Sequence, residues 1–577
     1  MSSNSNTYTR RQFLQQSSCA ALGSTGVLST MFNMQMTNAL SAENQQTDYK
    51  ALVCVFLGGG NDSFNMLVPV GDEYADYKTT REDVALNWND PDNPGATEPQ
   101  PGDDPLLDLN VLDSNGRQFA VHPALSNVHS LFNAGNAAFI ANVGTLVHPM
   151  TVANYQAGDI IVPRALFSHI DQITQWQTSV PDQLSSTGWT GRMADVLQSA
   201  YPTNQIAMNI SLSGNNIMQT GGTTTHYSIS RNGSIAFESK NGGPNGSDVR
   251  KERHFRHSLI GAVDPDVTSL LSSAYQNLFE ETYLDSMRSS IDRDEFFATH
   301  FEGAEAAFAG DPSILAAFDD ENPLALQLKA IALTIAARGT TALDMKRQSF
   351  FVIHGGYDTH QELIGTQDGL LTLLDDALGA FWNALVHLGV QDEVLTFTAS
   401  DFGRTMRSNG RGTDHAWAGN QIVLGGTPLR GGRIHGSNRN SGDPYPSMGE
   451  MTLGGTLDVG QGRLLPTTAV DEFMAELALW FGVGSGDLAT VFPNIGNFYA
   501  TSRAAGGYDS LSYQQLPVGF LTGGQTTPTS VVSLKGQSAE NGSLQMTRTG
   551  LLFGTGLAAT SALIALRERA RRLKRGE

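Results

Sequence analysis

The chain has 577 residues, of which 40% are hydrophobic and 16% charged, so it can bury a large core with more than one structural layer. Its net charge of -21 argues against nucleic acid or an anionic surface as the partner of the body, and favours small ligands or metal cations. With only Cys19 and Cys54, a cysteine-based metal site is excluded.

The N-terminal residues have the order of a twin-arginine signal peptide. The pair Arg10-Arg11 ends a polar stretch, an uncharged run rich in Ala, Gly, Ser and Thr follows, and small residues then lead to Ala42. This run is too weakly apolar to remain in a bilayer. We expect residues 1–42 to be removed after the twin-arginine translocase has carried the folded protein to the periplasm. Because Cys19 would leave with the signal, the mature chain could form no internal disulfide.

The C-terminal region carries a second topology signal. The run 550–566 contains no charged residue, and the tail 568–577 is basic. Since positive charge stays on the cytoplasmic side, residues 550–567 are predicted to anchor the body to the inner membrane from its periplasmic face. An amphipathic surface helix and a processed sorting tail are the two alternatives. The Gly/Ser/Thr/Gln-rich segment 520–546 is predicted to be a flexible linker.

Residues 48–500 are predicted to form one α/β domain. An apolar strand at 51–57 breaks abruptly into the Gly-rich loop 58–63, as a buried strand does before a ligand-facing loop. The second strand is predicted at 137–143. Later strands at 349–353 and 393–398 also end in polar residues.

Helical periodicity fills the spaces between these strands. Apolar residues recur at helical spacing over 363–388 and 470–481, and His122 is predicted to open an amphipathic helix. Strand, helix, strand predicts an α/β fold with a mostly parallel sheet. The polar segment 87–104 is predicted to be a surface insertion, and the Gly/Asn/Thr-rich segment 205–247 a β-rich inserted cap.

The polar strand ends are the main chemical signal in the sequence. In α/β sheets, ligands bind beyond the carboxyl ends of the strands, where Asp62, Asp358, His360 and Asp401 are all predicted to lie. The neighbouring pair Asp414-His415 adds another carboxylate and imidazole. These side chains are ligands for Zn, Mn, Mg or Ca, so the sequence predicts one or two divalent metal ions. A lone Asp at a strand end is more often a helix cap.

Several motifs together resemble the DUF1501 family, over roughly residues 48–483. They are Gly58-Gly59-Gly60-Asn61-Asp62, Ser168-His169, His354-Gly355-Gly356-Tyr357-Asp358-Thr359-His360, Ser400-Asp401-Phe402-Gly403-Arg404 and Gly412-Thr413-Asp414-His415. The family is typically twin-arginine exported and is grouped with the alkaline phosphatase and sulfatase superfamily of metal-dependent hydrolases. The resemblance implies an alkaline phosphatase-like three-layer α/β/α sandwich.

Site roles follow from the same resemblance. It implies that Asp62 is the first-strand metal ligand, that Asp358 and His360 bind one metal, and that Asp401 and His415 bind another. Ser168, at the start of a predicted helix, is the implied nucleophile, and a plain helix N-cap is its structural alternative. Ser63 is a second nucleophile candidate. Two arginines, Arg404 and Arg192, are candidates for clamping a phosphate or sulfate.

Two departures from the superfamily pattern bear on activity. The usual Asp-His pair is Asp401-Phe402 here, and no formylglycine-type motif occurs, which argues against sulfatase chemistry of that kind. Either His415 or His169 replaces the missing imidazole, or one metal binds, or catalysis is lost. We expect a periplasmic metal-dependent hydrolase of small anionic phosphate or sulfate esters. The alternatives are a non-catalytic envelope binding or assembly protein and a secreted hydrolase whose basic tail is trimmed.

Overall fold

The computed structural model describes residues 49–89, 105–112, 116–198, 207–231, 233–234, 301, 303–338, 345–438, 441–498 and 518–521. By its contacts the chain divides into a unit of residues 1–531 and a unit of residues 532–577, and every described residue belongs to the first. The predicted signal peptide, anchor and basic tail lie outside the described residues, as does the predicted linker apart from residues 520 and 521.

Fifteen strands are found in the described residues. They are β1 Lys50–Gly58, β2 Leu67–Val70, β3 Leu107–Leu112, β4 Gln118–Val121, β5 Ala137–Gly144, β6 Asn209–Ser211, β7 Tyr227–Ser230, β8 Gly233–Ser234, β9 Arg347–Gly355, β10 Val394–Ser400, β11 Arg404–Ser408, β12 Thr413–His415, β13 Gly419–Leu424, β14 Arg433–His435 and β15 Thr468–Ala469.

Most of these strands belong to one large sheet in the order β14-β5-β13-β10-β1-β9-β6-β7-β8, with β15 also pairing with β5. Strand β1 runs parallel to both β9 and β10. Only β13 and β8 run antiparallel to their neighbours in this sheet, as far as the structure describes it. The predicted α/β class with a mostly parallel sheet is therefore confirmed. Residues 51–57 are all buried, which explains why β1 is a continuous apolar run rather than an alternating one.

Helices cover this sheet and supply much of the core. The α-helices of the described residues are α1 Ser63–Met66, α2 Tyr74–Arg81, α3 Ser126–Asn133, α4 Val152–Ala157, α5 His169–Thr178, α6 Trp189–Leu197, α7 Ser313–Ala316, α8 Pro323–Ala337, α9 Leu363–His387, α10 Met448–Met451, α11 Val470–Phe481 and α12 Leu488–Val491. The helices predicted at 363–388 and 470–481 are thereby confirmed as α9 and α11. Among the described residues, α9 alone is long and apolar enough to cross a membrane, but it packs against α8 and α3 in the core.

Three expectations from the sequence need correction. A small antiparallel sheet, β2-β4-β3, comes between the strands predicted at 51–57 and 137–143, so the latter is β5. Helix α3 begins at Ser126, four residues after His122. The described strands of segment 205–247 extend the main sheet rather than form a separate cap, because β6 pairs in parallel with β9.

The register of the central strands brings three loops to one edge of the sheet. Leu57 pairs with His354 on β9 and with Ser400 on β10. The loops that follow β1, β9 and β10 therefore leave the sheet side by side at its carboxyl edge. The hairpin of β11 and β12 returns to the same place, since Arg404 pairs with His415.

Candidate metal centre

Three side chains from separate parts of the chain converge at this edge. His169 on α5, Asp358 in the loop after β9 and His415 on β12 each offer one ligand atom, and these atoms lie within 4.8 Å of one another. Asp358 Oδ1 lies 3.3 Å from His415 Nε2, and Asp358 Oδ2 lies 3.7 Å from His169 Nε2. Asp358 is 50% exposed, so the group is open to solvent.

His360 extends this group on one side. Its Nε2 lies 2.9 Å from His415 Nε2 and 3.2 Å from Asp358 Oδ1. Asp358, His360 and His415, all predicted as metal ligands, are thus brought together. They meet because the loop after β9 and the end of β12 are adjacent, as the backbone bond from Thr413 N–H to the Thr359 carbonyl shows.

Each imidazole is also held from behind through its Nδ1. His169 Nδ1 lies 2.7 Å from Asp401 Oδ2, and His360 Nδ1 lies 3.1 Å from Asp414 Oδ1. His415 Nδ1 lies 2.8 Å from the Phe167 carbonyl oxygen. Asp401 and Asp414, predicted as direct ligands, contact the histidines instead. Carboxylates and carbonyls in this position orient metal-binding histidines and fix their tautomer.

With Nδ1 of each ring against an oxygen acceptor, the lone pairs on the Nε2 atoms face one another. Carboxylate and carbonyl oxygens have no proton to give, so each Nδ1–H donates and each neutral ring keeps its lone pair on Nε2. The Nε2 atoms of His360 and His415 then confront each other and the Asp358 carboxylate at 2.9–3.3 Å. Such a cluster of acceptors is repulsive unless a proton or a metal cation lies among them.

The pKa shifts favour a neutral His415 beside an anionic Asp358. Burial and the charge of Arg404 lower the pKa of the His415 imidazole, although its hydrogen bond to the Phe167 carbonyl raises it. Burial would raise the pKa of Asp358, but the hydrogen bond and charge of Arg404 outweigh it and the pKa is lowered. A neutral imidazole beside an anionic carboxylate is the combination of protonation states that binds metal.

Asp62 does not join this group. Its Oδ2 forms a fully buried ion pair with Arg81 at 2.7 Å and accepts a hydrogen bond from the Thr413 hydroxyl at 2.9 Å. The predicted first-strand ligand is therefore neutralised by an arginine whose pairing the sequence did not indicate. Among the described residues, one group of three or more side chains could hold a metal ion, and Asp62 is not part of it.

Arg404 has a structural place in the site rather than a free guanidinium. It is buried and donates to the carbonyl oxygens of Gly60 and Thr413 and to Asp358 Oδ1, the last at 2.6 Å. This guanidinium holds Asp358 in position, and its side chain is fully buried rather than exposed to a substrate. Arg192, the other arginine predicted to clamp an anion, also has a structural place. Its guanidinium donates to the carbonyl oxygens of Val491, Thr187 and Thr178.

The two serine candidates differ in their surroundings. Ser168 is the N-cap residue of α5, directly before His169, yet its hydroxyl makes no capping bond and donates to Asp171 Oδ2 at 2.7 Å. Ser63 is buried at the start of α1, and its hydroxyl accepts the Asn420 N–H at 2.6 Å. Only Ser168 adjoins the histidine cluster, so Ser63 is a packing residue.

Phe402, which directly follows Asp401 in the chain, forms a wall of the cluster. Its buried ring lies 4.8 Å from the ring of His169 and 4.6 Å from that of His415. The rings of His169 and His415 are themselves 4.3 Å apart. The imidazoles beside Phe402 come from α5 and β12.

The sequence understated two parts of the site. From the sequence, His169 is predicted only as a replacement for the missing histidine, although its place next to Ser168 is a signal for a site residue. The Phe167 carbonyl could not be found from residue type at all. It is directed at His415 by a backbone with φ of 72°, in the left-handed region that bulky residues rarely adopt.

Comparison with known proteins confirms the family predicted from the motifs. Residues 275–445 match the model of the family described as Protein of unknown function (DUF1501). This segment contains Asp358, His360, Asp401, Arg404 and His415, but not His169. No curated protein matches the chain.

Proposed function

Since residues 275–445 belong to the DUF1501 family, whose function is unknown, we propose a function from the site itself: the protein binds one divalent metal ion and hydrolyses phosphate or sulfate esters. One observation carries the proposal. The ligand atoms of two imidazoles and one carboxylate, those of His169, His415 and Asp358, lie within 4.8 Å of one another, and His360 Nε2 lies 3.2 Å from the same carboxylate. An oxygen acceptor contacts the opposite nitrogen of each of the three rings. A histidine that served only for packing would not need both of its nitrogens placed in this way.

The donor set fits a zinc-type ion. His169, Asp358 and His415 would hold it, with His360 as a further ligand. Nitrogen and oxygen ligands about 2.0–2.1 Å from such an ion stand roughly 3.3 Å apart in a tetrahedral site. The observed separations between Asp358 and the three imidazoles run from 3.2 to 3.7 Å. Harder ions such as Mg or Ca prefer all-oxygen surroundings and fit this set less well.

A bound metal ion would act as a Lewis acid on an oxygen of the ester group. The remaining roles fall to protein side chains. Ser168 is the proposed nucleophile, with the Asp171 carboxylate 2.7 Å from its oxygen and able to take its proton. Its position at the N-cap of α5 places it where the N–H groups at the start of a ten-residue helix stabilise negative charge.

The setting of this reaction is also proposed. The mostly parallel sheet with the site at its carboxyl edge is compatible with an alkaline phosphatase-like sandwich. The Arg10-Arg11 signal supports twin-arginine export, and the uncharged run 550–566 with its basic tail supports attachment to the inner membrane. The substrate would then be a small anionic ester in the periplasm, and export after folding would allow the metal to be loaded in the cytoplasm.

The proposal is tested on the purified chain by measuring metal content and turnover together. We expect about one metal ion per chain and turnover of a phosphate monoester, a phosphate diester or a sulfate ester, assayed in parallel. Asp358→Ala should lose both metal and turnover. The matched control is Asp319→Ala. Asp319 lies on an exposed turn, and its carboxylate accepts a hydrogen bond from the nearby Glu321 N–H.

Two results would count against the enzyme. Absence of metal from the wild-type chain would remove the proposed centre. Bound metal without turnover of any of the three ester classes would favour the alternative, a non-catalytic envelope protein that retains the fold and a structural metal.

A further inference from the structure

We propose that Arg463 is the residue that binds the anionic group of the substrate, a role for which the sequence offers Arg404 and Arg192 as candidates. This inference rests on the proposed function, because it names a substrate-binding residue of the same metal site. It concerns the recognition of a phosphate or sulfate group by a guanidinium, which pairs with such anions through two parallel N–H donors.

Arg463 is attached directly to the metal centre. Its Nε donates to the His415 carbonyl oxygen at 3.2 Å. Its Cζ lies 4.8 Å from the centre of the Phe167 ring, and the carbonyl of that same Phe167 receives His415 Nδ1. Arg463 also helps to lower the pKa of Asp414, the acid behind His360. The guanidinium thus stands at the rim of the cluster.

The terminal nitrogens of Arg463 are available for a ligand. Among the described residues, the contacts of its guanidinium are the Nε bond and the ring of Phe167, and neither uses the two terminal amino groups. Arg404 and Arg81, which also approach the site, donate to backbone and carboxylate oxygens through their terminal nitrogens. The side chain of Arg463 is only partly buried, so solvent and ligand can reach it.

The position is fixed before any ligand arrives. Arg463 lies in a tight turn in which Asp458 Oδ1 accepts the N–H groups of Gly460 and Gly462. This turn is joined to β11 by the bond from Met406 N–H to the Gly462 carbonyl. With Nε bonded and the planar group against an aromatic ring, little side-chain entropy remains to be lost when an anion binds.

The test is the binding of inorganic phosphate to the metal-loaded chain, measured by titration calorimetry. Arg463→Gln should weaken phosphate binding about 10- to 100-fold, as expected for loss of hydrogen bonds to a charged group. Arg463→Lys, which keeps the charge without the two-pronged geometry, should be intermediate. The matched control is Arg411→Gln, since Arg411 is 61% exposed and pairs with Glu362 on the surface. Metal content and thermal unfolding should be unchanged in all three variants.

Equal phosphate affinity in the wild type and Arg463→Gln would overturn the assignment, and so would a metal-loaded wild type that binds no phosphate. A wild type that takes up no metal would refute the proposed function instead. In that case the same comparison in the metal-free protein decides for or against Arg463, because its guanidinium does not depend on the metal for its position.

Discussion

Two regions of the molecule contain several carboxylates each, and the pKa values of these carboxylates are shifted in opposite directions. At the carboxyl edge of the sheet, the charges and hydrogen bonds of neighbouring groups, Arg404 and Asn409 foremost, outweigh burial and lower the pKa of Asp358 and of Asp414. In the fully buried helix α11, burial raises the pKa of Asp471 to about 7 and that of Glu476 to about 8.

The partners of these acids explain the difference. Those at the edge face imidazoles and solvent, whereas Glu476 accepts the backbone N–H groups of Gly519 and Phe520 and so holds segment 518–521 against the core. Anionic carboxylates beside neutral imidazoles attract a cation, while largely neutral buried acids satisfy backbone donors. The number of acidic residues therefore does not identify a metal centre, but the charge state set by their partners does.

The largest effect is expected from removing an imidazole of the cluster. His415→Ala or His169→Ala should abolish metal binding at micromolar metal, since loss of a direct ligand exceeds the roughly 10- to 100-fold effect of losing a supporting residue. Metal content after dialysis measures this. His129→Ala is the matched control, because that ring contacts the Asp108 carbonyl on the surface. Full metal content in His169→Ala would show that the cluster is not the binding site.

Removal of the proposed nucleophile should separate metal binding from chemistry. Ser168→Ala is expected to lose ester turnover by a factor of about 100 or more while keeping its metal, because its hydroxyl bonds Asp171 rather than a ligand. Steady-state turnover and metal content are measured on the same sample. Ser63→Ala serves for comparison and should affect stability rather than turnover. Unchanged turnover in Ser168→Ala would remove that residue from the mechanism.

The residues behind the imidazoles should have graded effects on metal affinity. Asp401→Asn is expected to weaken metal binding about 10- to 100-fold, because Asp401 is buried and fixes the His169 ring. Asp414 is 53% exposed, so water can replace it and Asp414→Asn should have a smaller effect. Competition with a chelator of known affinity measures both. Equal losses of metal affinity in Asp401→Asn and Asp414→Asn would show that burial of the supporting carboxylate does not determine its effect.

A substitution in α11 is expected to have the smallest effect on the metal site and the clearest effect on the pH dependence of stability. The pKa of Glu476 is about 8 in the folded chain, above the ordinary value of 4.5. Between pH 4.5 and pH 8, Glu476 is therefore largely protonated in the folded chain and ionised in the unfolded chain. The contribution to stability is full below about pH 4.5 and falls as the pH rises toward 8, by at most roughly 1.4 kcal/mol per pH unit.

Glu476→Gln should therefore flatten the pH dependence of the unfolding temperature and leave metal content unchanged. Part of the slope should remain, since Asp471 has a raised pKa as well. Unfolding temperatures at several pH values between 5 and 8 provide the measurement. A variant with the wild-type slope would contradict the assignment of a largely protonated acid at this position.

The sequence predicted those parts of the molecule that follow from local pattern. The apolar runs gave β1, β9 and β10, helical spacing gave α9 and α11, and the polar strand ends gave Asp358 and His360. Pairings between residues far apart in the chain could not be predicted from local sequence pattern. Nothing local indicates that Arg81 neutralises Asp62, or that Asp401 supports His169 across 232 positions of the chain. Short strands such as β6 have too few residues to show which sheet they join.

We propose that the imidazoles of His169, His360 and His415 and the carboxylate of Asp358 bind one metal ion. X-ray absorption at the zinc edge of the zinc-loaded chain is the decisive measurement. We expect only nitrogen and oxygen neighbours at about 2.0–2.1 Å with the outer scattering of at least two imidazoles, reduced in His169→Ala. A first shell of oxygen atoms without imidazole scattering, unchanged in that variant, would contradict it.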